Sequence, residues 1–220
     1  MKEPYYSDIL INQQAQVFLE KLIPLRKKHN SRIKPKEVAL LILDFQRFFF
    51  DNSSHAFIPS ASAILPRVLK LQNCCLQKGI KVIQTRHVNT KENSQMMLKW
   101  WGDNLLSYDN PLVQFIPEIV NPVCTIIDKS QYDAFYGTEL DAILKSSGIT
   151  QLIITGVMTH LCCETTARSA FTRGYEVFFS IDGTATYNRE FHLGSLINLA
   201  HGFAVPMLME EIMEHRLEFE

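Results

Sequence analysis

The sequence lacks any apolar stretch long enough to span a lipid bilayer, which needs roughly 18 consecutive residues. Its first residues, MKEPYYSDILINQ, also lack the apolar core and small-residue cleavage site of a secretory signal. A strong charge of one sign is missing as well, because 22 basic and 23 acidic residues give a formal net charge of −1. These absences predict a cytoplasmic protein that binds neither a membrane nor nucleic acid.

Disulfide frameworks and metal-binding cysteine pairs are absent too. The cysteines are odd in number and form no C-x-x-C pair, which is typical of a reduced intracellular protein. No internal repeat or low-complexity tract divides the chain. Its length of 220 residues suits a single domain over 1–220, with a helical lead-in over 1–37 and a core over 38–220 that would carry any catalytic site.

Short apolar runs alternate with longer amphipathic segments along the chain. The runs predict strands at 38–44, 81–87, 124–128, 151–156, 176–182 and 204–209. Their nearly unbroken hydrophobicity is typical of strands buried on both faces of a parallel sheet. Helical patterns fall at 8–27, 61–78, 138–147, 161–172 and 190–202. The alternation predicts a doubly wound α/β fold with a six-stranded, mainly parallel sheet and helices on both faces.

Polar residues end several of these strands, at the sheet edge where such folds bind ligands. They are Asp44, His87 and Lys129, together with the loop that leads to Cys162. Taken singly, each has a structural alternative: a helix cap, a satisfied histidine, a solvated lysine. Cys162 differs because it lies near the expected amino end of a helix, where unpaired N–H groups favour a thiolate near neutral pH. Asp44 could then take the thiol proton, and Lys129 could hold negative charge.

Three motifs carry a resemblance to a known family. The segments ALLILDFQ, IDKSQYDAF and GVMTHLCCETTARSAFTRGYEVFFSIDGTAT resemble the isochorismatase-like hydrolases, also called cysteine hydrolases, from about Val38 onward. The resemblance implies that Cys162 is the nucleophile, Asp44 the general base and Lys129 the positive charge that orients both. It also implies hydrolysis of a small-molecule amide or related C–N bond through a thioester, in a homodimer or homotetramer.

The resemblance further implies an oxyanion hole beside the nucleophile. In cysteine members of the family, a non-proline cis peptide precedes the nucleophile, here matching the bond from Val157 to Met158. The amides of Met158 and Cys162 would then point at the developing negative charge on the substrate.

Two other functions remain open. True isochorismatases, which cleave a vinyl ether and release pyruvate, have glycine where this chain has Cys162, yet they share features with GVMTH, WWGDNL (100–105) and EFHLGSLINLAHGF (190–203). The chain could also be a binding module that has kept the fold and lost activity. The presence of Asp44, Lys129 and Cys162 favours an enzyme, and the thiol favours C–N hydrolysis.

The last predictions concern metal and pocket. Nicotinamidases of this family hold zinc or iron with an Asp-x-His pair, whereas Asp51 and His55 here have a different spacing, so we expect no metal, no cofactor and a substrate other than nicotinamide. The segment KWWGD is a candidate lid or subunit contact. The residues expected to contact the small-molecule substrate lie in or near the motifs and are Gln46, His87, Trp101, Tyr132, Phe135 and Thr159.

Overall fold

The structure, a computed structural model, describes residues 1–26, 32–102 and 105–214. Parts of the predicted segments lie outside the described residues: 27–31 of the lead-in and its helix, 103–104 of WWGDNL, and 215–220 of the core. Six strands form one sheet: β1 Val38–Leu43, β2 Lys81–His87, β3 Thr125–Lys129, β4 Gln151–Val157, β5 Glu176–Ala185 and β6 Val205–Met207.

The strand order is β3-β2-β1-β4-β5-β6, and every neighbouring pair is parallel. The chain therefore winds outward in one direction from β1 and in the other direction from β4. The reversal point lies between these two strands, where open α/β sheets form their ligand crevice. The predicted doubly wound fold is confirmed.

Strand β5 is longer than predicted, because it continues through Asp182 and Gly183 to Ala185. Both residue types are depleted in strands, which is why the sequence pattern ends at 182. Here the Asp182 carboxylate is buried and accepts hydrogen bonds from the Arg67 guanidinium (2.5 Å) and the Met209 amide (2.7 Å). These partners compensate for the burial of the carboxylate and allow the strand to continue.

Helices pack around the sheet. Helix α1 buries Ile11, Ala15, Phe18 and Leu22, a helical spacing that gives it one apolar face. Helix α7 begins after Asn188, whose side chain accepts a hydrogen bond from the Phe191 amide at 2.8 Å. The helices are α1 Ile11–Arg26, α2 Arg47–Phe50, α3 Ala61–Gln77, α4 Met96–Trp101, α5 Leu140–Ser146, α6 Glu164–Thr172, α7 Arg189–Gly202 and α8 Met209–Glu214.

The helix predicted at 161–172 begins differently in the structure. A π turn covers Thr159–Cys163, and α6 proper begins at Glu164. Turns of this kind are rare and are frequently found at functional sites. A separate finding concerns membranes: none of the helices in the described ranges is long and apolar enough to cross one.

Candidate active site

Asp44 follows β1 directly and has a left-handed backbone, with φ of 57°. Such a conformation is uncommon for residues other than glycine and, where it occurs, is often found at functional sites. The Asp44 side chain is fully buried and accepts a hydrogen bond from the Thr85 hydroxyl at 2.6 Å. Beside it, β4 approaches β1 so closely that a Cβ on Gly156, whose φ is +125°, would overlap the Leu43 carbonyl. Only glycine fits at this position of β4.

Lys129 ends β3, and its fully buried ammonium group has three acceptors. Its Nζ lies 2.8 Å from Asp44 Oδ2, 3.3 Å from Cys162 Sγ and 3.1 Å from the Gln131 carbonyl. Burial alone would lower the pKa of Lys129, but the Asp44 carboxylate and the Cys162 sulfur raise it above its ordinary value. The lysine is therefore a permanent cation between the acid and the thiol.

The π turn after β4 positions Cys162. The Met158 carbonyl accepts hydrogen bonds from the amides of Leu161 and Cys163, both at 3.1 Å, and the Val157–Met158 peptide is cis. Burial raises the pKa of the Cys162 thiol to about 12; Lys129 lowers it, and Asp44 raises it further. Burial therefore opposes the thiolate expected near neutral pH whereas Lys129 favours it, so a base beside the sulfur would assist nucleophilic attack.

A small, mostly apolar pocket opens above Cys162. Of the predicted contacts, His87, Trp101 and Tyr132 line it, and the Trp101 indole N–H donates to the Tyr132 hydroxyl at 2.7 Å. Met158 also lines the pocket. The remaining lining is mostly apolar: Phe48, Phe49, His55, Ala56, Asn89, Met97, Leu105, Leu106, Leu161 and Tyr187.

His87 is a buried histidine with one unpaired nitrogen. Asn89 donates its amide to the Ser130 carbonyl at 2.8 Å, so its oxygen accepts from His87 Nε2, also at 2.8 Å. Nε2 therefore carries the proton, and Nδ1 is a bare acceptor without a partner among the described residues. Burial and the nearby Lys129 cation lower the pKa of His87 to about 4, so the ring is neutral. Lys129 already has three acceptors, so it has no proton left to donate to His87 Nδ1. That nitrogen can therefore accept a hydrogen bond from a ligand.

Three predicted substrate contacts lie outside the pocket. The Gln46 amide donates to the carbonyls of His87 (2.9 Å) and Val113 (2.8 Å) and accepts from the His87 amide (2.8 Å). Phe135 is in the core, stacked on the Tyr175 ring. Thr159 is fully buried and bonded to His192. Substrate contact by these three side chains stays a prediction, and their partners here are backbone groups for Gln46, core rings for Phe135 and the His192 side chain for Thr159.

Other residues of the site were missed by sequence reasoning. Thr85, which bonds Asp44, lies two residues before the predicted His87 on β2. Side chains alternate between the two faces of a strand, so this spacing could have placed Thr85 on the same face as His87. Asn89 fixes the His87 tautomer but lies in a loop without regular periodicity. Tyr187 lines the pocket from beyond β5, a placement that depends on the unpredicted extension of that strand.

Arg86, Asp51 and His55 do not form a cluster that could bind an ion in the pocket. The Arg86 guanidinium forms a two-point ion pair with Asp128, at 2.7 and 2.8 Å, and does not line the pocket. Asp51 accepts hydrogen bonds from Ser53, whereas His55 lies in the pocket wall. Within ranges 1–26, 32–102 and 105–214, no group of three or more His, Cys, Asp or Glu side chains could hold a metal ion.

Residues 38–211 match the family model described as the isochorismatase domain. The chain belongs to the isochorismatase family. This isochorismatase-family hydrolase is 39% identical over 183 residues to nicotinamidase 3 of Arabidopsis thaliana, covering 81% of this chain and 86% of that protein. It is 32% identical over 184 residues to enterobactin synthase component B of Escherichia coli K12, covering 82% of this chain and 64% of that protein.

Solved structures agree with the fold of this family member. A cysteine hydrolase from Pseudomonas syringae pv. phaseolicola superposes with a TM-score of 0.81 at 24% identity, covering 84% of this chain and 94% of that one. The family match confirms the resemblance predicted from the three motifs, and the superposition confirms the six-stranded α/β architecture.

Proposed function

We propose that the protein hydrolyses the carboxamide of a small, neutral, aromatic compound through a thioester on Cys162. The observation that carries the proposal is a buried thiol in contact with Lys129, itself paired with Asp44, at the base of an apolar pocket. The described lining of that pocket includes no Asp, Glu, Lys or Arg side chain. Aromatic and aliphatic walls favour a flat, uncharged ligand.

The proposed chemistry needs one proton carrier. Asp44 accepts the thiol proton as Cys162 Sγ attacks the amide carbon, and the amides of Met158 and Cys162 stabilise the oxyanion. The C–N bond then breaks, and Asp44 returns the proton to the leaving amine, which departs as ammonia. Water, deprotonated by Asp44, attacks the thioester and releases the carboxylic acid, and the proton returns to Cys162. Lys129 contacts both Asp44 and the sulfur, so its positive charge balances the negative charge that moves between them.

His87 supports an amide as the substrate. Its unpaired Nδ1 can only accept a hydrogen bond, and leaving it buried without a donor has a free-energy cost. A primary carboxamide has N–H donors that could satisfy it. The 39% identity to a protein named nicotinamidase 3 makes nicotinamide the first substrate to test, although the Asp51 and His55 spacing differs from that of the metal-containing nicotinamidases.

Vinyl ether hydrolysis is the second candidate, favoured by the 32% identity to enterobactin synthase component B. Isochorismate carries two carboxylates, and a pocket for it needs cationic or multiple N–H partners. Arg86 is paired with Asp128 and does not line the pocket. Retention of the fold without activity is the third candidate.

The test compares the wild-type protein with Cys162→Ala, Cys162→Gly and a matched control, Cys163→Ala. Cys163 is the adjacent thiol, fully buried and outside the pocket lining. Ammonia release from nicotinamide, benzamide and aliphatic amides should vanish in both Cys162 variants and persist in the control. Pyruvate release from isochorismate by Cys162→Gly at the wild-type rate would support the vinyl ether hydrolase instead. Failure of the wild type on every substrate would favour the binding module.

A further inference from the structure

The first six residues lie against the active site, although the family match begins only at residue 38. Tyr5 and Tyr6 are buried, at 8% and 1% exposure, in a segment that is otherwise exposed. Tyr6 donates its hydroxyl to the Ile181 carbonyl at 3.0 Å, which attaches the segment to β5. A solvated leader would leave both aromatic rings in water, so this burial points to a defined role.

Tyr5 takes part in a buried polar cluster with His192 and Thr159. His192 Nε2 lies 3.1 Å from the Ile181 carbonyl, which can only accept, so Nε2 carries the proton and Nδ1 is an acceptor. The hydroxyls of Tyr5 and Thr159 each lie 3.0 Å from that Nδ1. Nδ1 has one lone pair, which accepts the Tyr5 proton, while the Tyr5 oxygen accepts from the Thr186 amide at 3.0 Å and from the Thr159 hydroxyl. Burial keeps His192 neutral by lowering its pKa to about 3.

Thr159 connects this cluster to the catalytic turn. It is the first residue of the π turn that ends at Cys163, and it directly follows Met158, whose carbonyl accepts the amides of Leu161 and Cys163. A hydrogen bond that fixes Thr159 therefore fixes the backbone on both sides of it. Met158 and the turn that begins at Thr159 carry the Cys162 sulfur and the predicted oxyanion donors.

The same segment also touches the outer pocket wall. Glu3 donates its amide to the Tyr187 carbonyl at 2.8 Å, and Lys2 Nζ lies 4.6 Å from the centre of the Tyr187 ring. Lys2 Nζ further donates to the His55 carbonyl. Tyr187 and His55 both line the pocket. The N-terminal segment thus contacts the site at two places, behind the catalytic turn and at the pocket wall.

We infer that residues 1–6 are part of the active site, with Tyr5 as a positioning residue that acts through His192 and Thr159 on the turn carrying Met158 and Cys162. The inference rests on the proposed function for its kinetic consequence, but its structural consequence is independent of any substrate. Small displacements of catalytic groups reduce turnover more than binding, because they spoil the alignment needed in the transition state.

The test replaces Tyr5 by Phe, which keeps the ring and removes only the hydroxyl. Tyr175→Phe is the matched control: Tyr175 is similarly buried, donates to Asp141 at 2.9 Å, and precedes β5 at the opposite end of the sheet. We expect Tyr5→Phe to lower kcat about tenfold with little change in KM. Hydrogen exchange at residues 158–163 should become at least about threefold faster in that variant. The control should change neither quantity.

Thr159→Val provides a second route should Tyr5→Phe fold poorly, and it should give the same local exchange. In the double variant, the loss of kcat should be close to that of one single variant, because both act through one cluster. Wild-type kcat and exchange in Tyr5→Phe, or losses that multiply in the double variant, would overturn the inference. Faster exchange in a protein whose wild type hydrolyses no amide would contradict the proposed function and leave the positioning role standing.

Discussion

Replacing Lys129 by Met should lower the free energy of unfolding, because it leaves the buried Asp44 carboxylate without its cation. Lys129 and Asp44 have side chains that are 0% exposed, with 2.8 Å between Nζ and Oδ2. The methionine has a similar length but removes the only charge that faces the carboxylate within this cluster of described residues, so Asp44 keeps just the Thr85 hydroxyl. Removing one partner of a buried ion pair costs about 3–5 kcal/mol of the free energy of unfolding.

A double-mutant cycle adds the variants Asp44→Asn and Asp44→Asn/Lys129→Met, the second of which removes both charges. Its cost should fall below the sum of the two single costs by about 2 kcal/mol or more, because neither charge is then left uncompensated. Urea unfolding at pH 7.5, followed by circular dichroism and by tryptophan fluorescence, measures all four proteins. A cost below about 1 kcal/mol for Lys129→Met, or strict additivity, would refute the assignment of a coupled buried pair.

Three further predictions concern the base, the pH dependence of stability and the assembly. Asp44→Asn should lower amide turnover at least about a hundredfold while the fold survives, and near-normal turnover would make Asp44 structural. Buried His192, with a pKa lowered to about 3, binds no proton in the folded state between pH 6.5 and 3 whereas the unfolded chain does. The contribution of His192 to the free energy of unfolding should therefore be full above pH 6.5 and be reduced by about 2 kcal/mol at pH 5. In His192→Gln the loss of stability between pH 7.5 and 5 should be smaller by that amount. An unchanged loss would show that His192 is not its source. Exposed Trp100 and Met96 on α4 favour a homo-oligomer, which a monomer in light scattering at micromolar concentration would exclude.

The fold could be predicted because the strands are nearly continuous apolar runs, and parallel strands place their carboxyl ends at one edge. Asp44, Lys129 and Cys162 are brought together for that reason, although 33 residues separate the last two. The expected roles of these residues come from the resemblance of the motifs to the family, and their positions follow from general rules for strand ends. The end of β5 could not be predicted, because the partners of Asp182 come from α3 and α8, which the local sequence does not reveal.

The pocket contacts were harder to predict, since a motif position does not fix where a side chain points. Gln46 has a polar side chain two residues after Asp44, yet it bonds to backbone groups of His87 and Val113. Tyr5 lies 187 positions from His192, and nothing in a segment of mixed polarity indicates that contact. Long-range hydrogen bonds of this kind follow from the packed structure and have no local sequence pattern.

The central claim is that Cys162 forms a covalent bond to the acyl group of an amide substrate. Acid quenching during turnover of the first amide that releases ammonia, followed by peptide mass spectrometry, measures it directly. We expect the acyl group on the peptide that contains Cys162, and its loss in Cys162→Ala. Turnover of that amide with an unmodified Cys162 at every quench time, together with full activity of Cys162→Ala, would contradict it.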